Sequence, residues 1–132
     1  MRILLDTSAY SAYMRGHQDI KEAVQSAESI AVNPIVLGEL QAGFRHGRHA
    51  EKNKAQLRQF LASPRVHVIP IDEETAERYA VILNGLWRIG HPIPTNDLWI
   101  AASAMQYGLT ILTTDADFTH VAQVLVQHVP LT

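Results

Sequence analysis

The chain contains no cysteine among its 132 residues. Disulfide bonds, thiolate nucleophiles and thiolate-bound zinc are therefore excluded. This absence is typical of proteins that work in a reducing compartment, so we expect a cytoplasmic protein. The chain also lacks a run of about 18 apolar residues, the length that a membrane-spanning helix requires. Only three apolar residues separate Met1-Arg2 from Asp6, so we expect no signal peptide and no membrane association.

Charge is also scarce. Charged residues make up 18% of the chain, and the formal net charge is −2. This balance is not that of a protein that coats nucleic acid non-specifically. It still allows a nuclease with a metal site, because bound cations add local positive charge. The length, with 47% hydrophobic residues and no repeat or linker, predicts a single domain over residues 1–132.

Short apolar segments alternate with helical patterns along the chain. The segments 3–5, 29–32, 66–69 and 109–112 are short and β-prone, and 124–129 is expected as an edge strand. Helices are expected in the intervals between them. This alternation predicts an α/β fold with a mainly parallel, four- to five-stranded central sheet and helices on both faces. We expect the first strand, 3–5, to lie at the centre.

Capping residues indicate where the helices begin. We expect these caps to be Thr7 or Ser8, Asn33 before Pro34, Asp72, and Thr95 or Asn96. Gly108 is expected to end the last long helix, where a positive φ is needed. The helix after Asp72 carries an apolar stripe at helical spacing: Ala76, Tyr79, Ala80, Leu83, Leu86 and Trp87.

Several acids occur near the ends of the predicted strands, and each has an ordinary explanation. Asp6 could cap a helix, Asp97 would be favoured in a first helical turn, and Asp115 and Asp117 could be turn residues. Glu39 is harder to explain in this way. It falls on the apolar side of its predicted helix, where an unpaired carboxylate is costly.

Considered together, the acids fall into two groups. Asp6 follows the first strand and Asp115 and Asp117 follow the fourth, whereas Glu39 and Asp97 lie on the inward faces of two helices. In a parallel sheet these positions can converge at one edge. Carboxylates that share a cleft raise one another's pKa unless cations are present. Mg²⁺ or Mn²⁺ are the natural partners of such all-oxygen ligands. Metal ions held in this way can activate water and stabilise the charges of phosphodiester hydrolysis.

Three segments carry these acids in order: LLDTSAY, NPIVLGELQAGF and IPTNDLWIAASAMQYGLTILTTDADF. With the chain length, they resemble the PIN-domain ribonucleases, and most closely the VapC toxins of type II toxin–antitoxin pairs. The resemblance covers essentially the whole chain. It implies a PIN-like three-layer fold and a Mg²⁺- or Mn²⁺-dependent endoribonuclease acting on RNA.

The resemblance also implies roles for individual residues. It assigns metal binding and catalysis to Asp6, Glu39, Asp97 and Asp115. Asp117 matches a more variable position and is expected to be auxiliary. Thr7 or Ser8, together with Asn96, would border the site as hydrogen-bonding residues.

Two partners are implied in the same way. VapC-like toxins usually form homodimers and are inhibited by a cognate antitoxin of the VapB type. We expect a self-complementary patch to come from some of the apolar residues that the core does not absorb, namely Tyr10, Tyr13, Met14, Phe44, Leu86 and Trp87.

Three other classes remain as alternatives. Phosphate-transferring hydrolases with an aspartyl nucleophile carry a second acid two residues after the first, where this chain has Ser8. Phosphoacceptor signalling domains carry a lysine after a late strand, where this chain has Thr113-Thr114. A catalytically inactive PIN-fold module that binds RNA or protein is the third, because a sequence does not show turnover.

Two further features of composition bear on the site. The seven histidines lack the spacing of a zinc site, and we expect them at the surface. The segment 45–58 carries five positive residues and Glu51, a net charge of +4, which leaves −6 on the rest of the chain. Such a segment is either a solvated helix face or a ridge that contacts phosphates beside the acids.

Overall fold

The computed structural model describes residues 1–131, and within them five strands form one parallel sheet. The strands are β1 (Arg2–Leu5), β2 (Ser29–Val32), β3 (Val66–Val68), β4 (Thr110–Thr113) and β5 (Val126–His128). Their order is β3-β2-β1-β4-β5. The predicted parallel sheet with the first strand at its centre is therefore confirmed. The edge strand β5 is shorter than the sequence indicated.

Helices fill every interval between the first four strands. They are α1 (Thr7–Met14), α2 (Gln18–Ser26), α3 (Pro34–His46), α4 (Ala50–Leu61), α5 (Glu73–Ile89) and α6 (Thr95–Tyr107), with a 3₁₀ helix at Ala116–His120 between β4 and β5. None of the helices in the described part of the chain has the length and hydrophobicity that a membrane-spanning segment needs.

Two of the predicted helix caps are present, and two are corrected. Asn33 and Asp72 accept hydrogen bonds from the first turns of α3 and α5, as expected. The cap of α1 is Asp6, whereas Thr7 and Ser8 already lie within the helix. Pro94 occupies the capping position of α6, because helical geometry begins at Thr95, and its ring has no acceptor for a side-chain hydrogen bond. The side chain of the next residue, Asn96, is therefore available for other contacts.

The core lies on both faces of the central strands. Leu4 and Leu5 of β1 and Ile111 and Leu112 of β4 are fully buried, as expected for parallel strands covered by helices on both sides. Along much of its length, helix α6 contributes small and branched side chains to the core, including Ile100. Gly108, at φ +65°, ends this helix as predicted and directs the chain into β4.

The inner face of α5 differs from the predicted stripe. Thr75, Ile82 and Leu86 are its buried residues. Trp87 is 63% exposed, and Ala76 and Ala80 also face solvent. The helix carries two adjacent apolar rows, and α6 covers only one of them. Periodicity alone does not show which of two neighbouring rows faces the partner helix.

A buried asparagine fixes α3 against α6. The side chain of Asn33 is fully buried, and its Nδ2 donates to Ser103 Oγ at 2.9 Å. Its Oδ1 accepts from the amide of Val36 at 3.0 Å, which caps α3. One side chain therefore satisfies a helix terminus and joins two helices that carry candidate acids, Glu39 and Asp97.

Replacement of Asn33 by Ala should lower the free energy of unfolding by about 2–4 kcal/mol. The change removes a helix cap, worth about 1 kcal/mol, and leaves Ser103 without its partner at a further cost of about 1–3 kcal/mol. Urea denaturation followed by circular dichroism measures the effect. Asn84→Ala is the matched control, because Asn84 is exposed and bonds only within its own helix. A difference below about 0.5 kcal/mol between the two variants would contradict this role for Asn33.

Candidate metal centre

The acids meet at the carboxyl edge of the sheet. Asp6 directly follows β1, and Asp115 lies two residues after β4. The two strands are neighbours, with Leu5 paired to Leu112, so the segments that follow them are adjacent. Glu39 reaches the same edge from α3, and Asp97 reaches it from the first turn of α6.

Asp6 is held by three donor groups and is only 4% exposed. The amide of Ala9 donates to Oδ1 at 2.8 Å, and Thr113 Oγ1 donates to Oδ2. The hydroxyl of Ser8 lies 2.8 and 2.9 Å from the two carboxylate oxygens. Asp6 is thus a helix cap, and it is also fixed in one orientation at the sheet edge. The cap and site interpretations of Asp6 are compatible.

The pKa of Asp6 reflects opposing effects. Burial raises the pKa above its ordinary value, and the charge of Asp115 raises it further. The hydrogen bonds from Thr113, Ala9 and Ser8 lower the pKa, but the net direction is upward. Burial therefore outweighs the donors, and the carboxylate is less stable in its charged form than a solvated one.

Hydroxyl groups also fix the acidic loop after β4. Ser8 Oγ accepts from the amide of Thr114 at 3.1 Å, and Thr113 Oγ1 accepts from the amide of Asp115 at 2.9 Å. Asp115 in turn accepts from the amide of Asp117 at 2.9 Å. The fully buried Thr113 is a positioning residue that the sequence analysis missed. A hydroxyl at a strand end, two residues before an acid, was the available signal.

Glu39 points toward the other acids. Thr7 Oγ1 donates to its Oε1 at 2.6 Å, and Asn96 Nδ2 donates to its Oε2 at 3.2 Å. The donors come from α1 and α6, so Glu39 spans the cleft between three helices. This placement explains why a carboxylate lies on the apolar side of α3, because its hydrogen-bonding partners are supplied by neighbouring helices.

Asp97, Asp115 and Asp117 form the tightest acidic group. Each offers a carboxylate oxygen, and these oxygens lie within 4.8 Å of one another. The structure thus places Asp117, expected to be auxiliary, in the group of three acids that could hold one metal ion. Asp6 and Glu39 lie outside that group, although their charges act on it.

The pKa of Asp97 is raised to about 7. Burial is the largest cause, followed by the negative charges of Asp115, Asp6, Glu39 and Asp117. All five acids therefore share one electrostatic environment. A carboxyl group with such a pKa is partly protonated at neutral pH, and a divalent cation could take the place of that proton.

The donor set fits a hard divalent cation. The three grouped residues supply only carboxylate oxygens, which Mg²⁺ and Mn²⁺ prefer. Within residues 1–131 no histidine joins the group, and all seven histidines are partly or fully exposed. The arrangement can concentrate cations at the end of β4, beside the oriented carboxylate of Asp6.

The raised pKa of Asp97 predicts that stability depends on pH in the absence of metal. The folded protein holds the Asp97 proton up to about pH 7, whereas an unfolded Asp releases it near 3.8. Stability should therefore fall as pH rises between these values. In EDTA at pH 8, Asp97→Asn should be more stable than the wild type by about 1–2 kcal/mol after allowing for solvent screening, or roughly 3–8 °C in Tm.

Thermal denaturation from pH 4 to pH 8 measures this difference, which should disappear near pH 4. Asp19→Asn is the control, because Asp19 is exposed on α2. A stabilisation by Asp97→Asn that stayed constant across this range would rule out titration of Asp97 as its cause.

Comparisons with known proteins show the family of this chain. The family model described as PIN domain matches residues 3–124. Ribonuclease VapC of Rickettsia bellii is 33% identical over 134 residues, which cover 99% of this chain and 98% of the relative. The matched segment thus includes every acid of the cleft.

Solved structures show the same fold. The crystal structure of VapBC2 from Rickettsia felis, bound to a DNA fragment from its promoter, contains a chain with a TM-score of 0.82 and 26% identity. VapBC-5 from Mycobacterium tuberculosis, a member of the VapBC family of toxin-antitoxin systems, gives a TM-score of 0.79 and 28% identity. Each alignment covers 97% of this chain and 98% of the other.

Sequence and structure therefore lead to one assignment. The family match covers most of the chain, and the curated relative is matched over nearly its whole length. The resemblance that the acidic segments indicated is confirmed. The chain belongs to the PIN-domain family, and within it to the VapC ribonucleases.

Proposed function

We propose that this chain is a divalent-metal-dependent endoribonuclease and the toxin of a type II toxin–antitoxin pair that acts in the cytoplasm. One observation carries the chemistry: the half-buried Asp97 lies with Asp115 and Asp117, and its pKa reaches about 7 partly because Asp6 and Glu39 add their charges. Membership of the VapC ribonucleases supports RNA as the substrate. Mg²⁺ and Mn²⁺ both suit the oxygen ligands.

A bound Mg²⁺ or Mn²⁺ would activate water and offset charge on the phosphate oxygens. Asp97, Asp115 and Asp117 would hold the ion, with Asp6 and Glu39 completing the negative field around it. Asp6 is already oriented by its three donors, so little reorganisation is needed. Glu39 keeps one fixed orientation through Thr7 and Asn96. The chain thus provides oriented carboxylates, whose charge would repel phosphate unless a cation were bound.

The structure also bears on the antitoxin. The relatives of known structure include VapBC toxin–antitoxin complexes, and we propose a VapB-type antitoxin for this chain. An acidic cleft favours Arg or Lys from such a partner, since guanidinium and carboxylate form paired hydrogen bonds. A cavity of about 320 Å³ is lined by Tyr13, Met14 and Phe60 among others. It reaches Arg65 and Val66 at the start of β3, so it is an apolar contact area separate from the acidic cleft.

Exposed apolar residues support a homodimer. Only some of the six residues expected in the self-complementary patch are exposed. Tyr10 and Leu86 are buried in the core, so they are removed from the proposed patch. Tyr13 and Phe44 are partly buried against the core. Met14 is 38% exposed and Trp87 is 63% exposed, and these two remain candidates. An exposed tryptophan is a typical anchor of a protein interface.

Asp97→Asn and Asp6→Asn should each reduce RNA cleavage by more than about a hundredfold, because the metal contributes several kcal/mol to such reactions. Asn at position 6 keeps the helix cap while removing the charge, so the fold should persist. Cleavage of total RNA with added Mg²⁺ measures activity, and EDTA should abolish it in the wild type. Asp19→Asn is the charge-matched control. Full activity of either site variant in chelator-treated, Mg²⁺-restored buffer would sink the metal-site assignment.

Light scattering of the isolated chain tests the homodimer. We expect a mass of twice 14.7 kDa at micromolar concentration, and conversion to a monomer by Trp87→Glu. Val68→Glu is the control, because Val68 is 49% exposed and lies on the edge strand β3, not on α5. A monomeric wild type counts against the dimer, and a dimeric Trp87→Glu variant counts against this surface of α5.

A further inference from the structure

Three cationic side chains form a basic turn between α3 and α4, defined here as Arg45, Arg48 and Lys52. All three are exposed. In the described part of the chain, none of them lies within 4.0 Å of a carboxylate, whereas Lys54 pairs with Glu51 at 4.0 Å. The basic turn thus presents three positive charges that no acidic side chain neutralises, in a protein whose net charge is −2.

The basic turn begins on the same helix as Glu39, at the C-terminal end of α3. Arg45 follows Glu39 by six residues on α3, which is about 9 Å along a helix axis. Glu39 is anchored at the cleft by its hydrogen bond from Thr7. The ends of α3 and α4 also meet α1, since Phe44 and Asn53 line a cavity of about 150 Å³ together with residues of that helix. Helix α1 begins directly after Asp6.

The cleft itself gives a physical reason for a separate anionic binding surface. Five carboxylates repel a polyanion, and a cation at Asp97, Asp115 and Asp117 would offset that repulsion only locally. An RNA strand extends on both sides of the phosphate that is cut. Neighbouring phosphates therefore need positive charge at a short distance from the acids, which the basic turn supplies.

The composition of the turn favours nucleic acid over a protein partner. Residues 45–49 read RHGRH and contain no apolar side chain. Protein interfaces have an apolar core with aromatic or aliphatic anchors, whereas interfaces with nucleic acid are more polar and more positively charged. Glycine at position 47 also adds no side chain that would hinder a close approach of the backbone.

We propose that the basic turn binds the sugar–phosphate backbone of the substrate RNA beside the scissile bond. This inference rests on the proposed ribonuclease function, and it adds the surface that holds the strand. The three side chains contact phosphates, so the basic turn contributes affinity without reading sequence.

Binding can be tested separately from cleavage. A fluorescein-labelled, 20-nucleotide single-stranded RNA of mixed sequence is titrated with the full-length protein in EDTA, and fluorescence anisotropy gives Kd at several salt concentrations. The triple variant Arg45→Ala, Arg48→Ala, Lys52→Ala should bind at least about tenfold more weakly. Its plot of log Kd against log salt should be shallower by about 2, because each phosphate contact to a single strand contributes about 0.7. Lys21→Ala, at an exposed site on α2, is the control and should match the wild type.

The kinetics of RNA cleavage in the presence of Mg²⁺ give a second measurement. The triple variant should raise KM and leave kcat within about twofold, because the turn holds substrate and does not touch the reacting atoms. A triple variant that keeps the wild-type Tm, Kd and salt slope would overturn the proposal. Unchanged RNA binding with loss of antitoxin binding would assign the turn to a protein partner instead. Failure of the wild type to cleave RNA, with the binding difference intact, would refute the ribonuclease function but not the RNA-binding surface.

Discussion

The constraint on which this structure depends is the repulsion among carboxylates at one edge of the sheet. Asp97 shows it most clearly, because burial and the charges of four other acids raise its pKa to about 7. Such a cluster destabilises the folded chain unless protons or cations neutralise it. Hydrogen-bond donors around Asp6 and Glu39 offset part of this destabilisation. Thr113, Ser8 and the first turn of α1 all donate to Asp6, and Thr7 and Asn96 donate to Glu39. A bound cation would therefore stabilise the folded chain.

The fold positions this site through a few short connections. In a parallel sheet the carboxyl ends of β1 and β4 lie side by side, and ligands of such sheets bind at that edge. Two helices also begin there, and the partial positive charge of a helix N-terminus favours nearby carboxylates. The buried contact between Asn33 and Ser103 fixes α3 relative to α6. Fold stability and the placement of Glu39 and Asp97 thus depend partly on the same side chain.

Much of this architecture could be predicted from the sequence, and the exceptions have physical reasons. Apolar runs such as residues 3–5 specify buried strands, and strand–helix alternation specifies the parallel sheet. The sequence did not show which residues of the α5 stripe are buried, because Trp87 and Leu86 belong to adjacent faces and only packing against α6 selects between them. The tight grouping of Asp117 with Asp97 was not predictable, since it depends on how Thr113 folds the loop after β4. Local sequence does not encode such long-range contacts.

The central claim is that the grouped carboxylates hold a divalent cation. Crystals of the protein grown without chelator and soaked in MnCl₂ test it most directly, because anomalous scattering locates manganese independently of the protein coordinates. The account predicts a manganese peak with carboxylate oxygens of Asp97, Asp115 and Asp117 around it, at the end of β4. Well-ordered side chains at these positions with no manganese peak among them, at millimolar MnCl₂ and neutral pH, would contradict the account.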